Sequence, residues 1–252
     1  MTPAPRPLAN GPVMALVQSI GEPSPRRNLV IVRAGDGSVH NRWGRDIADA
    51  DRTWSLLVSF FGEDEAALQP PYEYIARHKG QKWPAVFELA QSGELPPFDF
   101  VWCVDDDIDC DWSTVNRLFE LVARHGLDLA QPALGEGSYV AHAVTRRRPD
   151  CLLRYTSFVE VMAPVFSRAA FETCAPPMPF AKTGWGLDFV WPKLLGYPRD
   201  RIAILDAVPV RHTRPVGSRY ALHAAAAEMA AMMKRFGAQR RIGVYGELPV
   251  AP

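Results

Sequence analysis

Residues 98–112 read FDFVWCVDDDIDCDW, an apolar run that leads directly into a cluster of aspartates. The run over 98–104 has the length and the continuous apolarity of a strand that is covered on both faces of a mainly parallel sheet. Five aspartates follow it, namely Asp105, Asp106, Asp107, Asp109 and Asp111. Because ligands of open α/β sheets bind at the carboxyl ends of the strands, this stretch predicts an α/β fold with a polar site at the end of one strand.

The spacing of Asp105 and Asp107 predicts a site for a hard divalent cation. In an extended backbone, side chains two residues apart share a face and lie roughly 6–7 Å from each other, while Asp106 points to the other face. Carboxylate pairs favour Mg²⁺ or Mn²⁺, and Mg²⁺ usually shares its coordination with substrate phosphates. A calcium-binding EF-hand is excluded, because its loop needs glycine at the sixth position and glutamate at the twelfth, where the chain has Cys110 and Asn116.

The remaining pattern predicts alternating strands and helices in the first half of the chain and a less regular second half. Further strands are expected over 29–33, 55–61, 127–131, 155–166 (with a proline-marked bend) and 202–206. Helices are expected over 83–91, 113–124 (capped by Ser113), 185–195 (limited or kinked by Pro192) and 221–236. The proline-rich residues 1–27 predict an irregular arm, and no linker divides residues 28–252, which we interpret as one domain.

Composition excludes several classes of function. Lysine plus arginine number 28, as do aspartate plus glutamate, so no long-range charge attracts nucleic acid. The chain has no C-x-x-C pair, no signal-peptide pattern and no run of apolar residues long enough to span a bilayer. These features predict a cytoplasmic protein with reduced thiols, and they leave peripheral association with a membrane open.

The ordered motifs resemble the DUF707 family, which is itself similar to glycosyltransferases of the GT-A type. The stretches that carry this resemblance are RNLVIVRAGDGSVH, WSLLVSFFG, KGQKWPAVFEL, VDDDID, CLLRYTSFVEVMAPVFSR, GWGLDFVW and RHTRP. The resemblance implies a GT-A-like sheet flanked by helices, with a nucleotide-binding half over about 28–132, an acceptor half over 133–216 and a C-terminal helix and tail over 217–252. It also implies transfer of a sugar from a nucleotide-sugar donor, most simply a UDP-sugar, to a carbohydrate or other hydroxyl acceptor with the help of Mn²⁺ or Mg²⁺.

The same resemblance implies roles for individual residues. Asp105, Asp107 and His212 would bind the metal, and Asp188 would be the catalytic base of an inverting reaction. The donor would be contacted by Arg33, Asp36, Lys82, Asp105, Asp106 and Trp185. Many inverting members have two adjacent acids where this chain has Leu187 and Asp188.

Other interpretations remain at this stage. A D-x-D after an apolar strand also occurs in Mg²⁺-dependent phosphatases with an aspartate nucleophile, and a protein can keep a fold without its reaction and only bind carbohydrate or nucleotide. Lys82 could be solvated at a helix start, and His212 could be a hydrogen-bonded structural residue. Glu160 lies in an apolar segment and needs a partner, which could be an internal cation or an acceptor.

Overall fold

One mixed β-sheet organises the fold. The computed structural model describes residues 15–22, 24–69, 71–215 and 221–250. The strands are Gln18–Ser19 (β1), Asn28–Ala34 (β2), Trp54–Phe60 (β3), Tyr74–Arg77 (β4), Phe100–Asp105 (β5), Ile108–Asp109 (β6), Leu129–Leu134 (β7), Cys151–Thr156 (β8), Val165–Ser167 (β9), Ile202–His212 (β10) and Val244–Pro249 (β11). The helices are Lys82–Gln91 (α1), Trp112–Arg124 (α2), Arg168–Cys174 (α3), Leu187–Leu194 (α4) and Leu222–Phe236 (α5).

The strands lie in the order β1-β4-β3-β2-β5-β9-β7-β10-β8-β11, and β6 pairs separately with β10. Strands β4, β3, β2 and β5 are parallel to one another, as are β7 and β10. Strands β1, β9, β8 and β11 pair antiparallel with their neighbours. The expectation of a mainly parallel sheet therefore holds only for the first half of the chain, and the whole sheet is mixed.

Both faces of the sheet are covered, which explains the continuous apolar strands. Every residue of β3 is buried, and so is almost all of β2. One face packs against α2 and a group of tryptophans that includes Trp43, Trp54 and Trp102. The other face packs against side chains of α1, α3 and α4, and there the Trp83 and Trp191 rings meet edge to face. Strands that are buried on both faces show no alternation of polar and apolar residues. The apolar run over 98–104 is of this kind.

Several predicted boundaries are wrong. The strand expected over 155–166 is two strands, β8 and β9, joined by the irregular residues 157–164. The break begins where the Thr156 hydroxyl accepts a hydrogen bond from the Phe158 amide at 2.9 Å, a local bond that competes with strand pairing. Pro192 lies inside α4 and does not end it. Ser113 does not cap α2, because the helix begins at Trp112 and both the amide and the hydroxyl of Ser113 bond to Asp46.

The part of the sheet formed by β8 and β10 contains a buried ion pair. Arg154 on β8 donates from Nε to Asp206 Oδ2 at 2.8 Å and from Nη2 to Asp206 Oδ1 at 2.9 Å. The Arg148 amide donates to the same carboxylate at 2.7 Å. Both side chains are almost completely shielded, with 2% and 0% of their surface exposed. A fully bonded pair of this kind fixes the register of β8 against β10.

We expect Asp206→Asn to lower the free energy of unfolding by about 3–5 kcal/mol, because it leaves the Arg154 guanidinium buried without its counter-charge. Urea unfolding followed by circular dichroism measures the change. The matched control is Glu120→Gln on α2, which removes exposed pairs with Arg117 and Arg124 and should cost less than about 1 kcal/mol. Equal losses in the two variants would show that the pair does not fix β8 against β10.

Candidate active site

The site lies at the edge of the sheet where β2, β5 and β10 end. Strand β6 turns back after β5 and pairs antiparallel with the end of β10, so that Ile108 faces His212 in the register. The amide and the hydroxyl of Thr213 both donate to the Asp107 carbonyl oxygen, at 2.9 and 2.8 Å. This pairing brings His212 next to the aspartate cluster although the two are far apart in the sequence.

A cavity of about 530 Å³ opens at this edge. Of the nine residues that the sequence predicts for the site, seven line it: Arg33, Lys82, Asp105, Asp106, Asp107, Trp185 and His212. Asp36 and Asp188 are not part of its lining. The lining also contains Lys182, to which the sequence assigned no role, and Glu160, for which it left an internal cation and an acceptor open as partners.

Asp107 and His212 form the best candidate for a metal centre. His212 Nδ1 lies 2.8 Å from the Tyr139 carbonyl oxygen, which can only accept, so Nδ1 carries a hydrogen. His212 Nε2 points to Asp107 Oδ2 at 3.5 Å. Asp107 Oδ1 is buried and has no hydrogen-bond partner among the described residues. The carboxylate oxygen and the imidazole are two donors of a candidate cation site, and the carbonyl behind the imidazole is the outer support that fixes its orientation.

The charges of this pair favour each other. Burial disfavours the charged imidazole, but the Asp107 carboxylate and the Tyr139 carbonyl raise the pKa of His212 above its usual value. Burial likewise opposes ionisation of Asp107, but the hydrogen bond from His212 holds its pKa below the usual range. No group of three or more His, Cys, Asp or Glu side chains in the described ranges forms a complete metal site. Two protein ligands suit a cation that takes its remaining ligands from a diphosphate and water.

Asp105 is held by a lysine rather than by His212. Lys82 Nζ at the start of α1 lies 2.7 Å from Asp105 Oδ1 and donates to the carbonyl oxygens of Val161 and Met162 at 2.9 and 3.0 Å. Only 12% of the Lys82 side chain is exposed, so the interpretation as a solvated residue is wrong. The Asp105 side chain keeps 37% of its surface exposed toward the cavity.

Asp106 stabilises the loop that follows β2. Arg214 Nη1 donates to Asp106 Oδ1 at 2.8 Å and Arg214 Nη2 donates to the Gly37 carbonyl oxygen at 2.6 Å. The amides of Gly35 and Val39 donate to the carboxylate and the carbonyl of Asp106, at 3.3 and 2.7 Å. Asp36 lies in the same loop, where its carboxylate accepts from the amides of residues 63 and 64. Asp106 and Asp36 therefore shape the rim of the site.

Arg33 forms a buried cationic wall of the cavity. Its guanidinium lies 4.9 Å above the Phe61 ring and donates to Ser59 and to the carbonyl oxygens of His78 and Gly80. Burial lowers the pKa of Arg33 to about 10. The group stays charged at neutral pH, and its positive charge faces a cavity that also contains Lys82.

Asp188 lies at the start of α4 with 7% of its surface exposed. Its Oδ1 accepts from the amides of Gly186 and Phe189, both at 3.1 Å, and burial raises its pKa to about 7. The two glycines before it have positive φ, and a side chain at Gly184 would meet Trp83 at 2.8 Å. Trp185 between them is half-buried and lines the cavity.

A family model described as "Protein of unknown function (DUF707)" matches residues 75–155 and 149–243. The chain belongs to this family. No curated protein matches the chain at a significant level. The family's description names no activity.

The structural neighbours are GT-A glycosyltransferases. TarS of S. aureus superposes with a TM-score of 0.52 at 11% identity, covering 83% of this chain and 39% of that one. TarS 1–349 gives 0.52 at 13% identity, covering 83% and 72%. GalNAc-T7, solved with UDP, GalNAc and Mn²⁺, gives 0.57 at 10% identity, covering 83% and 48%. This DUF707 protein therefore has the GT-A type of α/β fold, and it spans less than half of the TarS and GalNAc-T7 chains in two of these matches.

Sequence reasoning left Glu160 undecided and gave Arg214 no role. Arg214 is part of RHTRP, which lies at the end of β10, but nothing local in the sequence shows that its side chain reaches Asp106.

Among the described residues, no helix has the length and apolarity needed to cross a bilayer, and all four cysteines are free.

We expect Arg214→Met to loosen the loop after β2, because two charge-assisted hydrogen bonds to Asp106 and Gly37 are lost. The Val39 amide should exchange its hydrogen at least about tenfold faster, as the loss of roughly 1.4 kcal/mol implies. Hydrogen–deuterium exchange with mass spectrometry of the peptide over 35–43 measures this. Arg211→Met is the matched control, because Arg211 pairs with Asp109 on the exposed surface. Unchanged exchange in Arg214→Met would contradict the assigned role.

Proposed function

We propose that this protein is a metal-dependent glycosyltransferase that uses a nucleotide-sugar donor, most simply a UDP-sugar, and a hydroxyl acceptor. The observation that carries the proposal is the Asp107–His212 pair, with a buried and unpartnered carboxylate oxygen beside an imidazole whose Nδ1 is fixed by a carbonyl. GalNAc-T7, which shares the fold, was solved with UDP, GalNAc and Mn²⁺ and supports the same ligand class here.

Asp107 and His212 would hold Mn²⁺ or Mg²⁺. Asp105 would contact the donor ribose and the cation. A divalent cation bound there supplies Lewis-acid neutralisation of the charge that develops on the departing nucleoside diphosphate. Lys82 keeps Asp105 in place, because its ammonium bonds the carboxylate and two backbone carbonyls at once. The chain thus orients its acidic groups before a ligand arrives, which lowers the cost of binding.

The walls of the cavity suit a diphosphate and a sugar. Arg33, Lys82 and Lys182 supply positive charge around the acidic edge, and phosphate oxygens accept hydrogen bonds from such groups. Trp185 presents a half-buried ring at the same cavity, and an aromatic face of this kind can stack on a sugar ring. The donor would lie between the end of β5 and the loop that carries Trp185.

The acceptor hydroxyl must lose its proton as it attacks the anomeric carbon, so a carboxylate is needed opposite the departing diphosphate. The sequence predicts Asp188 for this role, and an attack from that side inverts the anomeric centre. Asp188 lies close enough to Glu160 for its charge to raise the pKa of Glu160, and in this proposal both residues would be on the acceptor side.

We expect the wild-type protein to bind UDP only when Mn²⁺ is present, and Asp107→Ala and His212→Ala to abolish that binding. Isothermal titration calorimetry with UDP, with and without MnCl₂, measures it. Asp109→Ala is the matched control from the same acidic cluster, because Asp109 pairs with Arg211 at the surface and should leave binding unchanged. Absence of metal-dependent binding of UDP and of every other nucleoside diphosphate would refute the proposed function.

We expect Asp188→Asn to keep metal-dependent UDP binding and to lower sugar transfer, since it removes a charge at the acceptor end without touching the metal pair. Release of UDP from UDP-sugars, coupled to an NADH assay, measures transfer.

Turnover of p-nitrophenyl phosphate with Mg²⁺ would instead support the phosphatase. Binding without any turnover would support a protein that kept the fold but not the reaction.

A further inference from the structure

Glu160 is a carboxyl group in the cavity that the assigned roles do not use. It lies in the irregular segment 157–164 between β8 and β9 and lines the same cavity as Asp105 and His212. Only 6% of its surface is exposed, and its Oε2 is buried without a hydrogen-bond partner among the described residues. The unpaired oxygen therefore belongs to a side chain that lines the cavity.

An internal ion pair does not explain this residue. Within the described ranges no Lys, Arg or His side chain forms a salt bridge with Glu160. Burial, followed by the charges of Asp188 and Asp105 with opposition from His212, raises its pKa to about 8. A buried acid that lacks a partner costs free energy, so folding alone gives no reason for a carboxyl group here.

The backbone around Glu160 is fixed, which gives the carboxyl group a defined position. The Glu160 amide donates to Gln131 Oε1 at 2.5 Å, and Gln131 is completely buried on β7. The next two carbonyls, of Val161 and Met162, hold the Lys82 ammonium. The segment is therefore hydrogen-bonded both to the middle of the sheet and to α1. A functional side chain needs a backbone that is fixed in this way.

Asp188 is close to Glu160 but does not line the cavity. Its Oδ1 is occupied by two amides at the start of α4. Its negative charge acts on Glu160, where it disfavours a second buried charge. Of these two neighbouring carboxyl groups, Glu160 is the one that lines the cavity.

We infer that Glu160 is the catalytic base that contacts the acceptor hydroxyl, and that Asp188 is a positioning residue beside it. This inference rests on the proposed function. Glu160 enters the step as the carboxylate, and the acceptor O–H proton moves to its Oε2 as the acceptor oxygen bonds to the anomeric carbon. The bond from that carbon to the diphosphate oxygen breaks, and its electron pair leaves with the nucleoside diphosphate, so atoms and charge balance.

The test compares Glu160→Gln, Glu160→Asp and Asp188→Asn in the full chain. Release of UDP from UDP-glucose, UDP-galactose and UDP-N-acetylglucosamine is measured with MnCl₂, with water and free monosaccharides as acceptors. Glu160→Gln should lower kcat at least about 100-fold, as expected for loss of a general base, while its Kd for UDP with Mn²⁺ stays within about twofold. Glu160→Asp should recover part of kcat, and Asp188→Asn should lose less than Glu160→Gln.

Stability separates this role from a structural one. Glu160→Gln should unfold at the same or a higher temperature than the wild type, because it removes an unpartnered buried acid, and Glu172→Gln on the surface of α3 is the control. A lower melting temperature, weaker UDP binding or unchanged kcat in Glu160→Gln would overturn the inference. So would a larger loss of kcat in Asp188→Asn. Failure of the wild type to bind UDP and every other nucleoside diphosphate with Mn²⁺, or binding without turnover of any nucleotide sugar, would instead overturn the proposed function itself.

Discussion

The antiparallel pairing of β6 with the end of β10 is the constraint on which the candidate site depends. It is short, but it is fixed at several points: Ile108 is completely buried, its carbonyl oxygen accepts from Trp43 Nε1 at 2.7 Å, and Thr213 bonds the Asp107 carbonyl. A shift of one residue in this register would turn His212 to the opposite face of the strand. The imidazole would then lie away from Asp107, and the donor set for a cation would be lost.

Each of the consecutive aspartates has a cationic partner, which explains how so much negative charge is tolerated at one strand end. Asp105 pairs with Lys82 from α1, Asp106 with Arg214 from the segment after β10, and Asp107 with His212 and, at 4.0 Å, with the same Arg214. Among the buried carboxylate oxygens of these three residues, Asp107 Oδ1 has no hydrogen-bond partner within the described ranges. A cation at that oxygen would remove the remaining imbalance. The same partners link three distant parts of the chain at the sheet edge.

The parts of the fold that could be predicted from sequence are those set by local pattern. Strands β2, β3 and β5 are continuous apolar runs, and α5 has helical periodicity and ends at Gly237 with positive φ. Asp105 and Asp107 could be assigned to a site because a strand end is a local feature. The extended spacing expected for them is wrong, because residues 106 and 107 form the turn between β5 and β6. The mixed character of the second half could not be predicted, because the order β9-β7-β10-β8 depends on pairings between residues far apart in the chain.

The position of Glu160 shows why the segment between β8 and β9 is hard to predict. The sequence FVEVM has the apolarity of a strand, and a strand would direct alternate side chains into the core on each face. The bond from the Phe158 amide to the Thr156 hydroxyl ends β8 before this motif, so the backbone of 157–164 is free to bond elsewhere. The Glu160 amide then donates to the Gln131 side chain, and the carbonyl oxygen of Val161 accepts from Lys82.

Lys82 is one of the connections between the end of β5 and the segment 157–164. Its ammonium group bonds the Asp105 carboxylate and the carbonyls that follow Glu160. The backbone joins the same two parts, because the Cys103 and Asp105 amides donate to the Pro164 and Met162 carbonyl oxygens, both at 2.9 Å. A neutral side chain at position 82 would therefore release the Asp105 carboxylate, while the backbone bonds would still hold the segment against β5.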